Sequence, residues 1–241
     1  MFKRGQVTIF VIIAVIILAA IIIFFMTKDN LGVSNLPPHA EEIYSFTQSC
    51  LEEKAKEVVY EIGQSGGYYF PTEPSTYTGI PYYYSENGSH MPSKSELEEE
   101  ISFFVNKKLF ICTKGFIDFP DVKINQEEVK TITTINDEEV ILDVEYPIRV
   151  IKGEDITILK EFDTKVKVRL GIIYDSIAEL MQDQLTRDGI CLTCISDIVT
   201  RNDLYVEMFD YDNETIIFTF RDENLKLNDE FLEFSFANRY N

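Results

Sequence analysis

Cys50, Cys112, Cys191 and Cys194 are the residues of this chain best equipped to do chemistry. Four thiols allow three disulfide pairings, and their placement favours one of them. Cys50 falls inside a long helical stretch and Cys112 just past a second one, so a bond between them staples two helices. Cys191 and Cys194 then close the short "CLTC" loop. Two other chemistries compete for the same atoms. A Cys-x-x-Cys pair at a helix start is a redox motif, because the helix dipole lowers a thiol's pKa. The pair also supplies two zinc ligands, which Cys50 and Cys112 would complete to four. The thioredoxin-type motif follows a strand, however, whereas "CLTC" follows a helical pattern. Structural zinc normally draws on two close Cys pairs or on His pairs. Two disulfides are therefore the preferred reading, with no metal and no cofactor expected.

The remaining polar constellations are thin. His39 and His90 are the only histidines. His39 abuts prolines and His90 sits in "NGSHMPS", so both read as solvated. Carboxylates are abundant, and finding two near each other carries no weight. "DYDNE" lacks the Gly at the sixth position and the Glu at the twelfth that a calcium loop needs. "GQSGG" lacks the Lys and the preceding strand of a phosphate loop. No catalytic residue is assigned, and the chain is not read as an enzyme. An envelope-facing thiol-disulfide or hydrolytic enzyme is the competing class. One segment suits partner binding: "YYFPTEPSTYTGIPYYY" (68–84) concentrates Tyr68, Tyr69, Tyr77, Tyr82, Tyr83 and Tyr84. Tyrosine and proline rings on a loop make a rigid amphipathic surface for carbohydrate or protein. The preferred alternative is an ordered lid over the core with its hydroxyls pointing outward. Asn87 in "NGS" and Asn213 in "NET" are glycosylation sequons on predicted turns.

Helices and strands must carry these groups. Residues 39–67 read as a helix with Ile43, Phe46, Cys50, Ala55, Val58 and Ile62 on one stripe, ended by Gly66 and Gly67. A second helix opens near Ser93 or Ser95, with Glu96, Glu98 and Glu99 in its first turn and Lys107 and Lys108 in its last. From residue 117 the period shifts to two. "DVKIN", "VKTITTI", "VILDVEYPIRVI", "DITILKEF" and "TKVKVRL" alternate as strands, with turns at 136–139 and 152–155. "GIIYDSIAELMQDQL" is a third helix, with Ile173, Ile177, Leu180, Met181 and Leu185 on one face. "ICLTCISDIVTRN" is a shorter fourth. Strands "LYVEMFDY", "ETIIFTFR" and "EFLEFSFAN" close the chain, the first two joined through Asp212 and Asn213. This order predicts an α+β fold with antiparallel sheet.

The front of the chain is of another kind. "KRGQVTIFVIIAVIILAAIIIFFM" has no charge, Pro or Gly between Val7 and Met26. At about 1.5 Å per residue, such a helix crosses the roughly 30 Å hydrocarbon core of a bilayer. It is longer than a secretory signal's apolar centre, and "FFMTKDN" offers no small-x-small cleavage site. A retained single-pass helix is expected, partnered by lipid over residues 7–26. Lys3 and Arg4 hold its start in the cytoplasm, which leaves the C-terminal part outside. Net charge is -19, and about -21 once Lys3 and Arg4 are set aside. So acidic a surface excludes nucleic acid as a partner.

"KRGQ" running directly into the apolar stretch resembles the class III signal peptide of archaeal type IV pilin-like proteins. That resemblance implies a cut between Gly5 and Gln6 on the cytoplasmic side, with the apolar helix kept on the mature chain. It implies a filament or minor pilin subunit, with self-association. Two features depart from it: Phe10 stands at the fifth mature position, where pilins carry Glu, and Gly32, Pro37 and Pro38 interrupt the helix just outside the membrane. With "RGQVTIF" and "IGQSGGYY", the chain as a whole also resembles single-pass surface proteins of small-genome archaea. The organisation expected is a basic flank and membrane helix at 1–28, a juxtamembrane linker at 29–38, and an acidic α+β ectodomain at 39–241. That ectodomain divides, if at all, into 39–169 and 170–241. The function expected is a membrane-anchored extracellular structural or adhesion protein.

Overall fold

The computed structural model describes residues 36–70, 73–85, 88–186, 189–227 and 230–240, together with Ile13, Ala14 and Ile17. Gly5, Gln6, Asn87 and most of the expected membrane span at 7–26 lie outside those residues. The chain forms two compact units, residues 1–42 and 43–241. In the first, Ile13, Ala14 and Ile17 are helical, and the two isoleucines are about half exposed. No helix among the described residues is long and apolar enough to cross a membrane.

The larger unit is α+β, as the patterning predicts. Helix α1 (Pro38–Gln64) leads into the short hairpin β1 (Tyr82–Ser85) and β2 (Gly88–Ser89), followed by α2 (Lys94–Thr113). Four strands come next: β3 (Lys123–Gln126), β4 (Lys130–Ile135), β5 (Val140–Lys152) and β6 (Asp155–Val166). Helices α3 (Leu170–Gln184) and α4 (Leu192–Asn202) precede β7 (Tyr205–Asp210), β8 (Thr215–Leu227) and β9 (Glu230–Arg239). One sheet runs β2-β1-β9-β8-β7, antiparallel except where β1 lies parallel to β9. In the other, β5 pairs with β6 along one side and with β4 and then β3 along the other, all antiparallel.

The runs "DITILKEF" and "TKVKVRL" form one strand, not two. Pairing continues from Lys152↔Asp155 to Val140↔Val166 with one register shift, between Glu145 and Ile148. Pro147 sits in that shift. Lacking an N–H, it is tolerated in a central strand only at a bulge. At the same point the partner of β5 changes from β4 to β3.

Ser93 caps α2 through a complete capping box with Glu96. The helix runs to Thr113, longer than the sequence pattern suggests. Cys112 therefore lies in its last turn instead of past it, and Lys107 and Lys108 lie inside it. Lys108 bonds Glu57 and Glu61 on α1, the latter at 2.7 Å. Helix α2 also closes the free edge of β4. Ser102 Oγ accepts the Thr133 N–H at 3.1 Å, and Glu98 Oε1 accepts that of Ile135 at 2.8 Å. An edge strand with open N–H groups would otherwise be a template for foreign pairing.

Helix α1 reaches both sheets. Tyr44 stacks on Phe162 of β6 at 5.0 Å, and Gln48 Nε2 donates to the Asp163 carbonyl at 2.8 Å. Its far end meets β9 at Gly63, where an added Cβ would stand 2.7 Å from the Glu233 carbonyl oxygen. In α3, Ile173, Ile177, Leu180 and Met181 are buried as expected, while Leu185 caps the helix and is exposed. Arg169, just before α3, donates to the buried Asp222 of β8 at 3.0 Å and to the carbonyls of Asn202 and Asp203. One guanidinium thus ties the end of α4 to the five-stranded sheet.

Candidate functional site

Two places gather chemistry-bearing side chains. The first grows from the tyrosine-rich segment, whose six rings separate by position. Tyr69 stacks on Phe104 of α2 at 3.8 Å, and its N–H donates to Glu100 at 3.0 Å. Tyr68 is half-buried. Tyr77 caps a tight loop made by the Thr76 N–H donating to the Ile80 carbonyl at 2.8 Å, and it is fully exposed. Tyr82 and Tyr83 enter the core on β1. The Tyr83 ring stacks on Phe236 at 4.7 Å, and its hydroxyl donates to the Gly66 carbonyl at 2.8 Å. Burial pushes that phenol's pKa well above the ordinary value. This hydroxyl points inward, unlike those of an outward-facing lid. Tyr84 leans on Tyr240 with ring centroids 6.0 Å apart. The six tyrosines do not make one surface; Tyr77 alone is fully open.

Beside β1 lies an open cleft of about 500 Å³ lined by Glu73, Tyr82, Ser85, His90, Glu214 and Arg239. The Arg239 guanidinium lies over the Tyr82 ring at 4.5 Å and donates to its hydroxyl at 2.8 Å. Tyr82 also meets Thr215 Oγ1 at 3.3 Å. His90 is half-buried here, not solvated: its Nε2 lies 2.9 Å from Ser85 Oγ. The β1–β2 hairpin causes this by placing Ser85 opposite Gly88 and folding His90 back across the strand. Among the described residues no carboxylate bonds to His90. The pair thus lacks the orienting acid of a Ser-His-Asp device. What the cleft offers is a mixture of hydrogen-bond donors and acceptors. Asn213 stands exposed on the neighbouring β7–β8 turn, held by Asp212 Oδ1 accepting the Glu214 and Thr215 N–H groups.

The second place is the "CLTC" corner. All four cysteines are in disulfides, Cys50–Cys112 and Cys191–Cys194, with Cα separations of 5.9 and 5.2 Å. The first bond joins α1 to α2. A four-cysteine zinc set is not assembled, since Cys50 and Cys112 are bonded to each other in another part of the unit. Cys191 is the N-cap of α4, and its Sγ accepts the Cys194 N–H at 3.2 Å. Thr193 Oγ1 lies 3.4 Å from the same sulfur. A carboxylate oxygen of Asp183, from α3, lies within 4.8 Å of both sulfurs. Sequence reading missed this approach of Asp183, because the α3–α4 turn that makes it has no periodic signal.

Comparison with protein-family models, curated proteins and solved structures returns no match.

Proposed function

We propose that this protein is a membrane-anchored structural or adhesion protein of the cell exterior, held in the bilayer by residues 7–26 and exposing its acidic α+β unit outside. The observation that carries the reading is the pairing of all four cysteines, which belongs to an oxidising compartment. The charge-free run from Val7 to Met26 supports the anchor, and Ile13 and Ile17, about half exposed on helical backbone, are consistent with a lipid-facing surface. The polar cleft beside β1, with exposed Tyr77 nearby in sequence, is the surface for a hydroxyl-rich carbohydrate or a protein loop. Processing between Gly5 and Gln6, with assembly as a pilin-like or minor pilin subunit, is the specific form the N-terminal resemblance suggests.

Fractionation of expressing cells, external protease treatment and intact-mass measurement test this together. The full chain is expected in the membrane fraction, without free thiols and cleaved from outside in intact cells. A mature N-terminus at Gln6 supports the pilin-like form, while an intact Met1 replaces it with a plain anchor. Recovery of the chain in the soluble cytosol with reduced cysteines would overturn the proposal.

A further inference from the structure

We propose that Cys191–Cys194 is a reversible exchange centre for protein dithiols, while Cys50–Cys112 is a permanent staple. This goes beyond the anchoring and adhesion reading and does not rest on it. The two bonds differ first in what they constrain. Cys50 and Cys112 are 62 residues apart in sequence, whereas Cys191 and Cys194 are 3 apart. Loop-closure entropy grows with the length enclosed, so opening the short loop releases far less chain freedom than opening the long one. The fold therefore depends less on the short bond than on the long one.

The surroundings of the two sulfurs are unequal. Cys191 Sγ, at the N-terminus of the 11-residue α4, faces the Cys194 N–H at 3.2 Å and the Thr193 hydroxyl at 3.4 Å. Both can stabilise negative charge, as does the positive end of the helix. Cys191 is therefore the better leaving thiolate, and the electrophile is Cys194. That sulfur belongs to the residue lining an open cleft of about 430 Å³, together with Asp183, Asp197 and Arg201. The leucine between the cysteines, Leu192, is 62% exposed, as apolar contact with a protein partner requires.

The exchange balances with a partner dithiol as the reductant. One partner thiolate attacks Cys194 Sγ; the partner–Cys194 bond forms, the Cys191–Cys194 bond breaks, and the electron pair remains on Cys191. The second partner thiol loses its proton to solvent and attacks the partner's own sulfur, releasing Cys194 as thiolate. Cys194 and Cys191 each take up a proton from solvent, matching the two that the partner's thiols released. The partner leaves as a disulfide and this chain holds two thiols. A second protein's disulfide reverses the sequence and restores the oxidised state.

The test uses the full chain in detergent, titrated with dithiothreitol, quenched with N-ethylmaleimide and mapped by peptide mass. Cys191 and Cys194 are expected to label together at roughly tenfold or more lower reductant than Cys50 and Cys112. Circular dichroism and the thermal midpoint should stay near those of the oxidised chain at that point. In a second arm, oxidised chain is mixed with a reduced, unfolded ribonuclease as the protein dithiol. Loss of ribonuclease thiols matched by gain at Cys191 and Cys194 is expected, and Cys194→Ser should abolish it. The proposal is overturned if both pairs open only as the chain unfolds, if Cys50–Cys112 opens first, or if ribonuclease thiols are not consumed.

Discussion

Lys108 shows how one charge can be placed by competing effects. Burial pushes its ammonium toward the neutral form, but hydrogen bonds with Glu57, Glu61 and Tyr69 outweigh that and raise its pKa. Glu57 is the reciprocal case: burial alone would raise it, and bonds from Lys108 and Lys54 bring it below its ordinary 4.5. A depressed carboxylate contributes stability above its unfolded pKa and loses it as pH falls through the folded one. Glu57→Gln should therefore lower the thermal midpoint at pH 7, and the gap from the parent should close as pH falls below about 4.5. Because the Glu57 side chain is 36% exposed, solvent screening keeps the effect below about 1 kcal/mol. An undiminished gap at pH 3 would mean that Glu57 acts through packing. The Lys108 contribution is present below its ordinary pKa and is lost only as pH rises through the raised one.

At the scale of elements, close approach decides more than propensity does. Gly171 opens α3 in ordinary helical backbone, so propensity alone says that alanine would gain about 1 kcal/mol. Its added Cβ would stand 2.4 Å from the Asn136 carbonyl oxygen and 2.7 Å from the carbonyl carbon, in the turn between β4 and β5. Backbone atoms cannot step aside as a side-chain tip can. Gly171→Ala is therefore expected to destabilise by about 1–3 kcal/mol in urea unfolding. A stabilised variant would show that the turn yields freely. The β4 edge follows the same logic, since Ser102 and Glu98 satisfy N–H groups that no strand reaches. Period-two alternation revealed the strands, but said nothing of which edge a helix would cover. Nor did it show that β5 would change partners at Pro147.

For the whole molecule, the staple between α1 and α2 matters most. Cys50→Ala with Cys112→Ala should reduce unfolding free energy by about 3–4 kcal/mol, from the freedom returned to the unfolded chain. Cys191→Ser with Cys194→Ser should reduce it by clearly less. Denaturant titration of the two double variants checks the ranking, and equal losses would contradict the division between staple and exchange centre. By itself the amino-acid order determined the α+β class, most strand and helix positions and the two most economical cysteine pairs, and narrowed the α2 cap to Ser93 or Ser95. The class, the elements and the cap follow from interactions among residues near in sequence, periodic burial and a capping hydroxyl. The Cys50–Cys112 pair, 62 residues apart, follows from each thiol lying within or beside a predicted helix. Only the tertiary structure decided that Tyr83 would point its hydroxyl inward, that Ser85 would meet His90, that Asp183 would approach the "CLTC" sulfurs and that Arg169 would find Asp222. The Tyr83 and Arg169 contacts depend on which separate backbone segments share a wall of the core, and the Ser85–His90 and Asp183 contacts on turns without periodicity; no local period encodes either choice.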